Sequence, residues 1–140
     1  MSRRETRENL FKMVYERAVA GAPNPLTYAL IEGATPQSQL EYLSVAYNGV
    51  CEKYDWLCGV LARFSEGFDL DRIYKVDLSI MLVAVYEILF TDGVPDTVAV
   101  NEALELAKTY STEKSAAFIN GVLASVIKRK KELIDESEID

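Results

Sequence analysis

Two groups of cations stand out in this chain: Arg3, Arg4 and Arg7 at the start, then Lys108, Lys114 and Lys128-Arg129-Lys130-Lys131 near the end. Clustered guanidinium and ammonium groups suit phosphate, which a single surface lysine holds poorly. Tyr110 and Phe118 border the second group, and an aromatic face beside a cation can stack an unpaired base. The overall charge of −7 argues at first sight against nucleic acid. Its distribution argues otherwise. Residues 1–17 carry a net +2, 18–107 a net −9, 108–131 a net +5 and 132–140 a net −5. A fold that joined the two positive stretches would make a basic patch on an acidic body.

Catalytic chemistry finds little to work with. Histidine is absent, which removes imidazole catalysis and most zinc sites together. No Gly-rich phosphate loop or paired-Asp metal loop is present. Glu102 and Glu105 lie three apart on one predicted helix, but such a pair ordinarily forms a solvated face, and no second ligand helix matches it. Cys51 and Cys58 would sit about 10 Å apart along a single helix, too far for a disulfide, and read as buried free thiols. The expectation is a protein with no catalytic residue, no metal and no cofactor.

The elements that must position these residues read as helices throughout. Residues 3–20 place Leu10, Phe11, Val14, Tyr15 and Ala18 on one face. Three arginines at the start of that helix oppose its macrodipole, so they call for another reason to be there. Gly21 to Pro25 ends it, and Leu26–Ile31 gives a short helical piece. From Leu40 to Phe64 the apolar residues recur by three and four, predicting one long helix. A two-stranded coiled coil fits that heptad, leaving a homodimer open, while the short flanking loops favour a bundle helix within one chain. Residues 73–90 are apolar almost all round and predict a central, covered helix. Residues 94–123 predict two helices joined by a polar turn, the first begun by Pro95, Asp96 and Thr97, the second capped by Ser111 or Thr112. Val98, Leu104, Leu106 and Ala107 would face inward on the first, and Phe118, Ile119, Val122, Leu123 and Val126 on the second. The last helix would run through Lys128–Lys131, with 135–140 a frayed acidic tail.

The whole is an all-α domain of six to seven helices over residues 1–134, in two packed halves, about 1–66 and 67–134. No apolar run approaches the length that spans a bilayer, and Met1-Ser2 leads straight into Arg3-Arg4-Glu5, so a cytoplasmic protein is expected.

At this level of detail the chain resembles the NusB family of bacterial transcription antitermination factors. The resemblance rests on R-R-E-T-R-E-N-L-F-K-M-V-Y (Arg3–Tyr15), on Val76-Asp77 with Ala84-Val85-Tyr86-Glu87, and on V-P-D-T-V-A-V-N-E-A-L-E-L-A-K followed by S-A-A-F-I-N-G-V-L. It implies two helical subdomains that bind the boxA element of nascent RNA together with ribosomal protein NusE. Such complexes join RNA polymerase in an antitermination complex, notably on ribosomal RNA operons. By position, RNA contacts would fall on Arg3, Arg4, Arg7, Lys114, Ser115 and Phe118, and the NusE-facing surface would include Tyr15 and Asp77. The resemblance would also explain the arginines at the helix start, held there for phosphate; substituting Arg4 or Arg7 should then weaken RNA binding with the helices intact.

Three positions depart from the family pattern. Lys114 stands where an acid is frequent, Ala117 where a lysine or arginine often precedes the phenylalanine, and Leu82 where an arginine is common. Two other readings remain: a protein-interaction module with little RNA affinity of its own, and an accessory domain like that of some RNA cytosine methyltransferases.

Overall fold

The computed structural model describes residues 1–67 and 69–139. Among them are eight α-helices, one 3-10 turn and no strand. The helices are α1 (Arg3–Ala20), α2 (Pro25–Ala34), α3 (Gln37–Glu52), α4 (Tyr54–Phe64), α5 (Lys75–Phe90), α6 (Asp96–Tyr110), α7 (Glu113–Lys128) and α8 (Lys130–Ser137), with the 3-10 turn at Leu70–Arg72.

The organising element is α5. Its residues from Asp77 to Leu89 are all buried, and it packs against α1, α3, α4, α6, α7 and α8. A helix that is apolar all round has no solvent face to offer, so the others must surround it. The side chains it presents are bulky, and α6 answers with small ones: Ala99, Ala103 and Ala107 are buried there beside Leu106. That inverts part of the expected stripe, since Val98 is exposed and Leu104 only half-buried. Of the stripe expected on α7, Ile119, Val122, Leu123 and Val126 are buried, while Phe118 is half-buried. Close approach elsewhere depends on Gly49 of α3, where a Cβ would overlap the ring of Tyr86.

The long helix expected from Leu40 to Phe64 is two. Lys53 leaves helical geometry at φ −99°, ψ 13°, and α4 starts at the next residue. Leu43, Tyr47, Val50, Leu57 and Leu61 of the heptad are all buried in the chain's own core. Cys51 and Cys58 therefore belong to different helices; both are free and half-buried, and burial pushes both thiols up. A second break at Arg129 separates α7 from α8. The tail expected to fray is helical as far as Ser137, with Glu136 paired to Arg63 at 2.8 Å; Asp140 lies outside the described residues. These two breaks raise the count from the six or seven expected to eight among the described residues.

Candidate nucleic-acid interface

The start of α1 is built by a capping box. Ser2 Oγ accepts from the Glu5 N–H at 3.1 Å, and Glu5 Oε1 accepts from the Ser2 N–H at 3.1 Å. The carboxylate in the first turn offsets the unfavourable arginines there, and those hydrogen bonds hold its pKa below the ordinary value.

Each arginine then meets a different environment. Arg3 Nε donates to Gln39 Oε1 at 2.8 Å, and its guanidinium lies 4.0 Å above the Tyr42 ring. Arg4 Nε donates to Glu102 at 3.1 Å, while its side chain stays 68% exposed. Arg7 is buried. Its Nε and Nη2 donate to the two oxygens of Glu87 at 2.7 and 2.9 Å, and its Nη1 lies 3.5 Å from Glu102. Tyr42 Oη donates to the same Glu87 at 3.1 Å. Burial alone would lower the Arg7 pKa, but the Glu87 hydrogen bond with the surrounding negative charge overrides it and raises the value. Burial and then Glu87 push the Tyr42 phenol up.

Of the arginines expected to meet RNA, Arg4 stays exposed, while Arg7 is buried and held by Glu87 in this structure. It belongs to a buried bidentate pair, and its removal would unsettle α1 against α5. Glu102, expected on a solvated face, is only 15% exposed and serves two arginines. Glu105 does stay at the surface, beside Lys108 at 3.5 Å. Arg4, Arg7, Glu8, Glu102, Glu105, Leu106 and Thr109 together line a cleft of about 130 Å³ along the seam of α1 and α6.

The second candidate surface lies at the turn between α6 and α7. Thr112 is the cap that forms, its Oγ1 accepting from the Ser115 N–H at 3.0 Å. The N-terminus of α6 has no such side-chain cap; Asp96 instead accepts from Lys130 at 3.0 Å. Arg72, Ile73, Tyr74, Asp77, Thr112, Lys114, Ser115 and Phe118 line a groove of about 400 Å³. Lys114 and Tyr74 are exposed, Phe118 is half-buried, and Ser115 lies buried in the wall. Asp77 is buried too, and its carboxylate accepts from Ser111 Oγ at 2.7 Å. It ties the turn to the start of α5, in the same groove as the residues expected to meet RNA. Tyr15 is 38% exposed, on α1 one turn beyond Phe11.

The two surfaces are connected but not merged. The Phe11 and Tyr110 rings stand 5.1 Å apart, with Lys12 Nζ 5.7 Å from the Tyr110 ring. Glu102 to Tyr110 is eight residues of α6, about 12 Å of helix. Arg4 thus sits about two helical turns of α6 from Tyr110, which precedes the turn, while Arg3 lies on the α3 side of α1. Sequence reasoning missed Gln39, Tyr42 and Glu87 around the arginines, and Arg72 and Tyr74 in the groove. Only Glu87 left a signal, as a lone acid in an apolar helix that had to have a partner.

These features define an all-helical domain wrapped on one buried helix, with two surfaces that set cations beside aromatic rings. The NusB family model matches residues 4–128, and the chain belongs to that family of transcription antitermination proteins. The transcription antitermination protein NusB of Lachnoclostridium phytofermentans is 44% identical over 133 residues, covering 91% of this chain and 99% of the relative. That of Acetivibrio thermocellus is 38% identical over 140 residues, covering 99% and 97%. The solved structure of T. maritima NusB superposes with a TM-score of 0.85 at 27% identity, covering 96% of this chain and 98% of that one. No described helix is long and apolar enough to cross a membrane.

Proposed function

We propose that this protein is a non-enzymatic antitermination subunit that binds boxA-type single-stranded RNA together with ribosomal protein NusE. In that role it works in the cytoplasm, joining the RNA polymerase antitermination complex on ribosomal RNA operons. The observation that carries the RNA part is the groove in which Lys114 and Arg72 stand beside Phe118 and Tyr74. Single-stranded RNA exposes both phosphates and base faces, and this groove supplies a partner for each. Arg4 on the α1–α6 seam and Arg3 on the α3 side of α1 supply further phosphate contacts, and Ser115 and Asp77 shape the groove wall. Tyr15, exposed on α1, is the side chain offered to NusE.

A second reading has its own support. The three N-terminal arginines all have partners within the chain, and Ala117 offers no charge beside Phe118. A module that mainly binds protein would look like this. Fluorescence anisotropy with labelled boxA RNA, with and without NusE, separates the two. The proposal expects RNA affinity that rises when NusE is added. It also expects Lys114→Ala to weaken binding and to lower the slope of log K against log salt by about one. NusE binding with no gain in RNA affinity would support the second reading instead.

A further inference from the structure

We propose that Glu102 is an internal competitor for RNA phosphate, a carboxylate that occupies the Arg4 guanidinium in the free protein and yields it when RNA binds. The inference deepens the RNA-binding reading and rests on it.

The geometry separates a movable cation from a fixed acid. Arg4 is 68% exposed at its side chain and reaches Glu102 from outside, while Glu102 is 15% exposed and anchored between α1 and α6. An exposed ion pair of this kind is weak, because water and salt compete for both charges. Glu102 engages Arg4 through Nε alone, at 3.1 and 3.3 Å to its two oxygens, whereas a phosphate can take two guanidinium donors at once.

What makes the release cheap is the next residue in the network. Glu102 Oε1 also lies 3.5 Å from Arg7 Nη1, so the half-buried acid keeps a cation after Arg4 departs. Without that second partner, opening the pair would strand a partly buried charge. Arg7 cannot leave in turn, because Glu87 grips it through two hydrogen bonds at 2.7 and 2.9 Å. The other acids of the cleft are occupied elsewhere, Glu8 beside Lys12 at 3.9 Å and Glu105 beside Lys108 at 3.5 Å. Glu102 is therefore the acid that sets how readily Arg4 accepts a phosphate. Weak polyanions must displace it, so the contact raises the threshold for nonspecific binding.

The test is a double-mutant cycle on boxA RNA binding at moderate salt, using Arg4→Ala, Glu102→Gln and the pair, with each variant's fold checked by circular dichroism. Glu102→Gln should tighten binding about two- to fivefold, the range set by an exposed ion pair. In the Arg4→Ala background the same change should have no effect. Should Glu102→Gln fail to fold, Glu102→Asp, which draws the carboxylate back by one methylene, takes its place in the cycle. Weaker binding in Glu102→Gln would make Glu102 a support for Arg4 and overturn the proposal. Equal tightening with and without Arg4 would reduce it to general charge repulsion and also overturn it. Nitrogen-15 spectra of the arginine Nε–H groups read the contact with no RNA present. A slowly exchanging Arg4 Nε–H that becomes fast in Glu102→Gln supports the contact, and one already fast in the wild type overturns it. If the wild type binds no RNA even with NusE while Arg4 remains protected, the RNA-binding reading itself has failed, and the competitor role falls with it.

Discussion

Glu87→Gln removes the charge from the centre of the buried network while keeping its shape. Glu87 is 1% exposed and holds Arg7 by two hydrogen bonds and Tyr42 by a third. Breaking one side of a buried ion pair costs about 3–5 kcal/mol, because the remaining charge keeps its desolvation penalty and loses its compensation. Here the lower end applies. The amide oxygen of the glutamine still accepts one hydrogen bond, and Glu102 remains 3.5 Å from Arg7. About 3 kcal/mol is a large share of the roughly 5–15 kcal/mol that stabilises a domain. At about 3 °C per kcal/mol for a chain of this size, the melting temperature should fall by roughly 9 °C.

Urea unfolding followed by circular dichroism measures the loss, with the m-value expected to stay constant. The double variant Arg7→Met with Glu87→Leu should recover most of it, since apolar residues of similar volume replace a buried pair at little cost. A loss below about 1 kcal/mol in Glu87→Gln would refute the reasoning, as it would mean that the pair is solvated. The same logic separates the arginines in function. Arg7→Ala should lower stability together with any RNA affinity, whereas Arg4→Ala should lower affinity alone.

Two further outcomes follow from the packing. Gly49→Ala should cost about 1–3 kcal/mol by urea unfolding, because the added methyl overlaps the buried Tyr86 ring, itself packed 5.5 Å from Phe90. Gly121→Ala meets nothing within 4 Å and should leave stability unchanged or raise it by up to about 1 kcal/mol through helix propensity. Burial raises the phenol pKa of Tyr42, Tyr47, Tyr54 and Tyr86, so the folded chain holds these protons longer than the unfolded chain does. Their contribution is complete below the unfolded value of about 10 and is lost as the pH rises above it, which unfolding in alkaline buffers would register.

Residues 73–90 and 94–123 were legible because their apolar patterns leave one arrangement each: a helix without a polar face goes to the centre, and two amphipathic helices with a polar turn form a hairpin. The breaks at Lys53 and Arg129 were not legible. Neither involves glycine or proline; each is a single residue near φ −100°, ψ 15° that redirects the helix, and at Lys53 the heptad runs on undisturbed. Arg7 shows the same limit at the level of a site. In a row with Arg3 and Arg4 it reads as a third surface cation, yet it lies on the stripe of Leu10, Phe11 and Val14, facing α5. Its partner is 80 residues away, and only the tertiary structure joins them.

That burial changes what net charge can tell about an acidic protein of this family. Availability to phosphate depends on which acid each cation already holds and how firmly. Arg7 is locked by Glu87, Arg4 is held at the surface by Glu102, and Arg3 meets a neutral amide and a ring. Lys130 and Arg129 are paired with Asp96 and Glu132. Among the described residues Lys114 has no ion-pair partner, and it stands at the mouth of the groove beside Phe118. The cations thus form an order of readiness, with Lys114 and the exposed Arg72 of the groove first, Arg3 next, Arg4 after displacement of its carboxylate, and Arg7 last. An RNA that approaches the α6–α7 turn would meet the ready charges and the aromatic faces together. It would then engage the conditional charges at the start of α1 only if it is long enough to reach them.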